Sequence, residues 1–297
     1  MHDVEEYHSR HDLTPPFQPI LTSKALDYEE RVIQWNMACV KKEALFYRFR
    51  TGSDEKARKI DFLPDACVDV LFECCPDDPK ATISGLHLIP RTMQLKQDTT
   101  YFGFKPYSDR GFDSAKLPFT ELVNSSVDLL ELLPNAEALL EQLAHAGDLN
   151  ECVHHFDSFA KKHMLADEYH PSFVDHITLL LCVMRGAAEL SDTLKSTGYS
   201  ERYCRDRFRA DHGISPKQYN STMRFQRTLK QLMLEPETSL TDLAANNGYF
   251  DQAHFIHDFK HFTNQSPSRF RKDHRDVCHI GSEVNAGEAI GQGLQER

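Results

Sequence analysis

The stretch that decides the fold occurs twice in the last third of the chain. The first copy begins with Gly198-Tyr199-Ser200 and ends at Tyr219. The second begins with Gly248-Tyr249, has one residue added near its start and ends at Phe270. From Ser200 against Asp251 onward, the matching positions keep one offset of 51 residues. Such self-similarity is typical of a repeated supersecondary unit.

Both copies have the sequence signals of two helices joined by a tight turn. An amphipathic segment precedes each Gly-Tyr pair, and a residue suited to N-capping, Ser200 or Asp251, follows it. This order predicts a helix-turn-helix unit, whose second helix can enter the major groove of DNA. Two tandem units favour a DNA-binding regulator of transcription, with double-stranded promoter DNA as its partner.

The first predicted recognition helix has one charged face. At 100° per residue, the charged side chains from Arg202 to Arg209 include a polar stripe, which lies opposite Cys204 and Phe208. Arginine can hold guanine through two hydrogen bonds or contact phosphate, and aspartate can accept from cytosine. A solvated charged face is the plainer interpretation, but the turn, the cap and the repeat favour DNA contact. The residues predicted to contact DNA here are Ser200, Arg202, Arg205, Asp206 and Arg209.

The second predicted recognition helix buries three phenylalanines, Phe255, Phe259 and Phe262, and turns histidines outward. The spacing of His254, His257 and His261 also resembles part of a zinc site. Tetrahedral zinc needs a further ligand, and none stands at a suitable spacing, so we expect no metal. Ala253 and these three histidines form the outward stripe of the helix. Gln252 lies off this stripe and is expected to contact phosphate or cap the helix. The residues predicted to contact DNA here are Gln252, Ala253, His254 and His257.

A single helix is predicted between the two units, from Lys217 to Leu234. A rigid connector would hold the two recognition helices at a set separation. If that separation matches one turn of DNA, about 34 Å, both helices can enter successive major grooves.

These residues resemble the AraC/XylS family of bacterial transcription regulators over about 105 residues, from His170 to His274. The resemblance implies DNA contacts from Arg202, Arg205 and Asp206, and from Gln252, Ala253 and His257. Three residues depart from the family pattern: Leu194 and Thr228 replace small alanines, and Asn264 replaces a turn glycine. The features that carry the resemblance are Gly198-Tyr199-Ser200, Phe208, Gly213, Ser215-Pro216, Tyr219 and Arg224 in the first unit, and Gly248-Tyr249, Asp251-Gln252-Ala253-His254-Phe255, Phe259, Ser266-Pro267 and Phe270-Arg271 in the second.

The charge of the chain is unevenly distributed. The 297 residues carry a formal net charge of −11, but residues 170–275 hold 15 basic and 12 acidic side chains, a balance of +3. A positive balance confined to the repeat is the pattern expected of a nucleic-acid-binding domain. The longest apolar run is too short to cross a membrane, and the 8 cysteines lack paired spacing, so we expect reduced thiols and a cytoplasmic protein.

The first half of the chain has a different pattern. From about Leu45 to Phe104 the hydrophobicity has period two, with Val70 and Phe72 on one face and Asp69 and Glu73 on the other. This predicts a small β-rich domain, a sandwich or barrel, over residues 25–118. A weaker resemblance, in the stretch from Pro64 to Phe72, implies a cupin-like sensor domain with an effector that the sequence does not identify.

The complete prediction is an α+β protein with five segments. A flexible arm (1–24) precedes the β-rich domain, a helical linker or dimerisation region (119–168) follows it, and a double helix-turn-helix domain (169–275) precedes a disordered tail (276–297). The linker helices are expected to dimerise, because their apolar side chains exceed what a short hairpin can bury. Those side chains are Leu139, Leu143, Val153 and Phe156.

The leading hypothesis is an effector-responsive activator that works with RNA polymerase as a homodimer. Under this hypothesis we expect no catalytic residues, no cofactor and no membrane contact. One alternative is an enzyme fused to a DNA-binding module, with Cys67 or Cys74 accepting an alkyl group. Another is a protein-binding tether to promoters. An enclosed apolar cavity in residues 25–115 would favour sensing, and a filled interior would favour tethering.

Overall fold

The computed structural model describes residues 16–24, 26–37, 40–53, 59–107, 110–184 and 190–274. These ranges contain an N-terminal domain rich in antiparallel strands and a C-terminal helical domain, which confirms the α+β class. The predicted tail lies outside them. The strands are β1 (Leu26–Met37), β2 (Val40–Arg50), β3 (Lys59–Phe62), β4 (Asp69–Cys74), β5 (Lys80–Ser84), β6 (Arg91–Gln94), β7 (Thr100–Pro106) and β8 (Ser126–Asp128).

Six of the strands form one antiparallel sheet in the order β1-β2-β7-β4-β5-β8, and β3 pairs with β6 in a separate ribbon. The register places Phe46 opposite Phe104 and Phe72 opposite Phe102. Because side chains alternate along a strand, these aromatic rings share one face of the sheet. The period-two pattern therefore predicted this face correctly.

Helices cover the aromatic face of the sheet. The ring of Phe156 lies 4.4 Å from that of Phe104 and 5.9 Å from those of Phe46 and Phe72, measured between centroids. The interior on this side is therefore filled by side chains of the same chain. The helices are α2 (Leu129–Leu132), α3 (Glu137–His145) and α4 (Leu149–His163), with a 3-10 turn over Pro134–Ala136.

This packing corrects the expectation of a dimerisation face. Leu139, Leu143 and Phe156 are buried in the core that the helices share with the sheet, and Val153 packs against the same core. The apolar surplus seen in the sequence is thus used within the chain, because the sheet supplies the second surface that an isolated hairpin would lack. Strand β8 also joins the sheet, so the region expected to be a linker is part of the N-terminal domain.

The expectation of a loose arm is wrong for residues 16–24. Helix α1 (Pro19–Lys24) buries Ile20 and Leu21. The Gln18 side chain donates to the Leu63 carbonyl at 2.8 Å and accepts from the Leu63 amide at 2.9 Å. These paired hydrogen bonds fix the segment against the sheet domain, and residues 1–15 lie outside the described ranges.

The C-terminal domain consists of two helical units joined by a long helix. That helix spans 19 residues, roughly 28 Å at 1.5 Å per residue, and a capping box between Ser215 and Gln218 begins it. It confirms the predicted continuous connector. The helices are α5 (Phe173–Met184), α6 (Leu190–Lys195), α7 (Glu201–His212), α8 (Pro216–Leu234), α9 (Leu240–Asn246), α10 (Gln252–Thr263) and α11 (Pro267–Asp273).

The two domains are packed against each other at several points. Gln226 of α8 is 5% exposed, and its side chain bonds Pro64 and Phe17 of the N-terminal domain. Arg110 forms an ion pair of 3.1 Å with Asp211 of α7. One cluster of buried side chains continues from the second face of the sheet into the second helical unit. The N-terminal domain is thus in direct contact with the helices of both units.

Candidate DNA-binding surface

The first recognition helix, α7, is set in place by its cap and its buried face. The Ser200 side chain accepts from the Tyr203 amide at 3.3 Å, and Cys204 and Phe208 are fully buried. The helix ends at Gly213, whose φ of 73° is left-handed. A Cβ at this glycine would lie 2.7 Å from the Thr120 carbonyl oxygen, so the helix end touches the N-terminal domain as closely as glycine allows.

The opposite face of α7 carries the predicted charged stripe, and all of it is exposed. The side chain of Arg202 is 94% exposed and lies 3.9 Å from Asp206. Arg205 forms an ion pair of 2.6 Å with Glu201, one turn earlier on the same helix. Both pairs are exposed and contribute little to stability, so these arginines remain able to exchange partners for phosphate or guanine.

The second recognition helix, α10, repeats this arrangement. The Asp251 carboxylate accepts from the His254 amide at 2.7 Å, and the three predicted phenylalanines are buried. Gln252 and Ala253 are exposed at the helix start, and the His257 side chain is 86% exposed. Gln252 also accepts from Thr241 of the preceding helix at 3.1 Å, which holds its amide at the helix start. Among the four predicted residues of this unit, Gln252, Ala253 and His257 are thus exposed and His254 is partly exposed.

The contacts of Arg224 with the second recognition helix were not predicted from the sequence. The Arg224 guanidinium of α8 lies 2.9 Å from Asp258 and 4.4 Å over the ring of Tyr249. Asp258 also faces His254, with its carboxylate 3.7 Å from Nε2. Arg224 therefore ties the connecting helix to the recognition helix. The four-residue spacing from His254 to Asp258 was a detectable signal, but the pairing with Arg224 depends on how the helices cross.

The three departures from the family pattern are accommodated locally. Leu194 is fully buried in the core of the first unit. Thr228 is also buried, and its hydroxyl donates to the Arg224 carbonyl one turn earlier at 2.8 Å, which satisfies the polar atom. Asn264 ends α10 with a φ of 59°, so it takes the left-handed conformation expected of a turn glycine.

The two cysteines of the alkyl-transfer alternative are poorly placed as nucleophiles. Burial raises the pKa of the Cys74 thiol to about 12. Burial and then the Asp65 carboxylate hold the pKa of the Cys67 thiol well above its usual value. Because the thiolate is the reactive form, neither environment activates the sulfur.

A small cleft opens to solvent in the N-terminal domain, and its enclosed part has room for about one water molecule. Lys105 is buried there between Asp65 at 2.9 Å and Asp69 at 3.5 Å. Within the described ranges, the buried nitrogens His87 Nε2 and Arg91 Nε have no hydrogen-bond partner. The lining combines the apolar side chains of Phe62 and Leu63 with charged groups, so this cleft is not the enclosed apolar cavity expected of a sensor domain.

No helix among the described residues combines the length and hydrophobicity needed to cross a membrane. In the same part of the chain, no three His, Cys, Asp or Glu side chains gather as a metal site requires.

Comparisons with known proteins agree with the helical geometry. The family model described as a helix-turn-helix domain matches residues 194–273. An uncharacterised HTH-type transcriptional regulator of Staphylococcus aureus is 33% identical over 84 residues, which are 28% of this chain and 11% of the relative. This chain therefore spans about a ninth of the length of the first curated relatives it matches.

Two further proteins cover more of the chain. The Msm operon regulatory protein of Streptococcus mutans is 26% identical over 191 residues, 60% of this chain and 62% of that protein. Apo ToxT of Vibrio cholerae covers 82% of this chain and 96% of its own, with 11% identity and a TM-score of 0.42.

Proposed function

We propose that this chain, whose residues 194–273 match a helix-turn-helix family model and whose sequence resembles the AraC/XylS family there, regulates transcription by binding two successive major-groove segments of promoter DNA. The observation that carries the proposal is the repeated geometry of α7 and α10. Each helix is capped, buries an aromatic face and exposes a polar face, and the 19-residue α8 joins the two units. Recognition helices act in this way, with their first residues at the base edges.

The test is site selection from random duplexes with the full chain, followed by affinity measurements at several salt concentrations. We expect one enriched motif with two half-sites about one helical turn apart. Affinity should fall steeply with salt, because each phosphate contact releases counterions. A chain that enriches no sequence and shows no salt dependence contradicts the proposal.

We also propose that an effector controls this binding through the contacts between the domains. Gln226 and Arg110 connect the N-terminal domain to α8 and α7, so a change in that domain can reach both units. Since the sheet interior is filled, we assign the effector to the mouth of the cleft beside His87, Arg91 and Lys105 and expect it to be small and polar. Titration of such compounds into the chain, read as a shift in DNA affinity, tests this, and His87→Ala should remove the shift.

The remaining parts of the proposal come from the sequence. These are activation through RNA polymerase, homodimerisation and a cytoplasmic location. Run-off transcription from the selected site tests activation, and sedimentation at micromolar concentration tests dimerisation. The side chains that suggested a dimer face are buried within one chain, so a dimer would have to use another surface.

The filled interior gives support to the tether hypothesis, in which the N-terminal domain binds another protein. The two hypotheses differ in one measurement. A tether keeps the same DNA affinity with every small molecule, whereas an effector-controlled regulator does not. The alkyl-transfer alternative has no comparable support, because the environments of both candidate thiols favour the protonated form.

A further inference from the structure

An exposed aromatic ring stands at the start of the second recognition helix. Phe250 is 92% exposed and directly precedes Asp251, the residue that caps α10. Its neighbour Tyr249 is buried, with its ring 5.2 Å from that of Phe255 and under the Arg224 guanidinium. Phe250, the residue that the second copy adds between Tyr249 and Asp251, thus lies in solvent, whereas Tyr249 lies in the core.

In the first unit, the residue directly before the cap has different contacts. Tyr199 precedes the cap Ser200 and is 52% exposed, but its ring packs on Phe173 at 4.6 Å and on Tyr203 at 5.3 Å. Phe250 makes no ring-to-ring contact within the described ranges. Burying a phenyl ring stabilises the folded state, and the exposed ring of Phe250 does not contribute this stabilisation in the free protein. Folding therefore does not account for an aromatic residue here.

The surroundings of Phe250 indicate what the ring can meet. Gln252 and Ala253, both exposed, lie within three residues of it on the proposed DNA surface. In the major groove, the thymine C5-methyl is the apolar group that base edges present, and phenylalanine is among the side chains that contact it. The phenyl ring has no hydrogen-bonding group, so it is suited to this methyl rather than to the polar atoms beside it.

We propose that Phe250 contacts the C5-methyl group of a thymine in the major groove and makes the second unit select thymine at one base pair. This inference rests on the proposed function and adds a specificity-determining residue to it. The contact is apolar and belongs to the helix start, where a recognition helix approaches the bases.

The experiment uses the full chain and the duplex obtained by site selection. Each thymine of the second half-site is replaced in turn by uracil, which removes only the methyl group. Wild type should lose affinity about four-fold at one position, the value for one buried methyl-sized group. Phe250→Ala should lose about as much on the thymine duplex and then be indifferent to uracil at that position. Phe250→Leu, which keeps an apolar side chain, should recover part of the response.

Controls separate this effect from folding. Because Phe250 is exposed, Phe250→Ala should unfold at the same urea concentration as wild type. Ile89→Ala removes a second exposed hydrophobic side chain, 49% exposed in the N-terminal domain, and should leave both affinity and the uracil response unchanged.

Two results would overturn the inference. In one, wild type and Phe250→Ala respond equally to uracil at every position. In the other, Phe250→Ala binds DNA normally but loses transcription with RNA polymerase, so that the ring contacts a protein. Arg202→Ala on the same duplex separates a failure of this inference from a failure of the proposed function. If Arg202→Ala weakens binding while Phe250→Ala does not, the proposed function stands and this inference falls. If wild type selects no site, the proposed function itself fails.

Discussion

Gln226, in the middle of the helix that joins the two DNA-binding units, donates a hydrogen bond of 2.7 Å to the carbonyl oxygen of Pro64 in the N-terminal domain. The same side chain accepts from the Phe17 amide at 2.9 Å. One amide group thus satisfies two backbone atoms of another domain, and the connecting helix cannot move away without leaving them unpaired. Through this contact the N-terminal domain can constrain both units together.

Gln226→Leu should lower the free energy of unfolding by about 1–3 kcal/mol, because it leaves buried backbone groups without partners. Urea unfolding measures the loss, and hydrogen exchange at the Phe17 amide should become faster. Lys217→Ala, an exposed change on the same helix, is the matched control. Equal stability of the two variants would show that the contact between the domains does not hold them together.

Phe156→Ala should destabilise the chain by about 3–5 kcal/mol, since it empties the centre of the core between α4 and the sheet. Urea unfolding provides the measurement. Phe159→Ala, on the same helix but only partly buried, should cost clearly less. If Phe156→Ala instead changed the oligomeric state at unchanged stability, the side chain would serve an interface between copies.

Arg202→Ala and Arg205→Ala should each weaken binding to the selected site by about 1–3 kcal/mol and relax the preference at one or two base pairs. His257→Ala should cost less and leave the motif nearly unchanged, because a histidine is a shorter donor with weaker charge. Lys80→Ala, a cation removed from the N-terminal domain, controls for net charge. The assignment is reversed if His257→Ala rewrites the motif while the arginine variants leave it intact.

His87 should make stability depend on pH. Burial first, and then Arg91 and Lys105, lower the pKa of His87 to about 4. The unfolded chain takes up this proton near pH 6.5, whereas the folded chain does not, so acidification favours unfolding between about pH 6.5 and 4. Unfolding midpoints of wild type and His87→Asn across this range provide the test. The stability difference between them should shift against wild type as the pH falls, and a constant difference would contradict the prediction.

The helical domain was predictable because its signals are local. The cap residues Ser200 and Asp251, the left-handed Asn264 and the buried phenylalanines of α10 follow from short-range spacing. The exposed stripes were predicted equally well, since a helix with one buried face leaves the other face to solvent. Their contact with DNA stays a prediction.

The N-terminal domain was predicted less completely. The alternation around Phe72 identified strands, but it could not show that α4 would pack on them. The apolar side chains of Leu139 and Phe156 therefore suggested a dimer when they serve an internal core. The segment from Gln18 to Leu21 looked like an arm, because its partner Leu63 is 45 residues away from Gln18 in the chain.

The sequence by itself determined the two capped recognition helices, the continuous helix between them and the faces they expose, because each depends on residues within a few turns of one another. Only the tertiary structure decided that the sheet interior is filled, that Gln226 connects the domains and that Arg224 bridges Tyr249 and Asp258. These contacts join residues far apart in the chain, and they form only once whole surfaces have packed together.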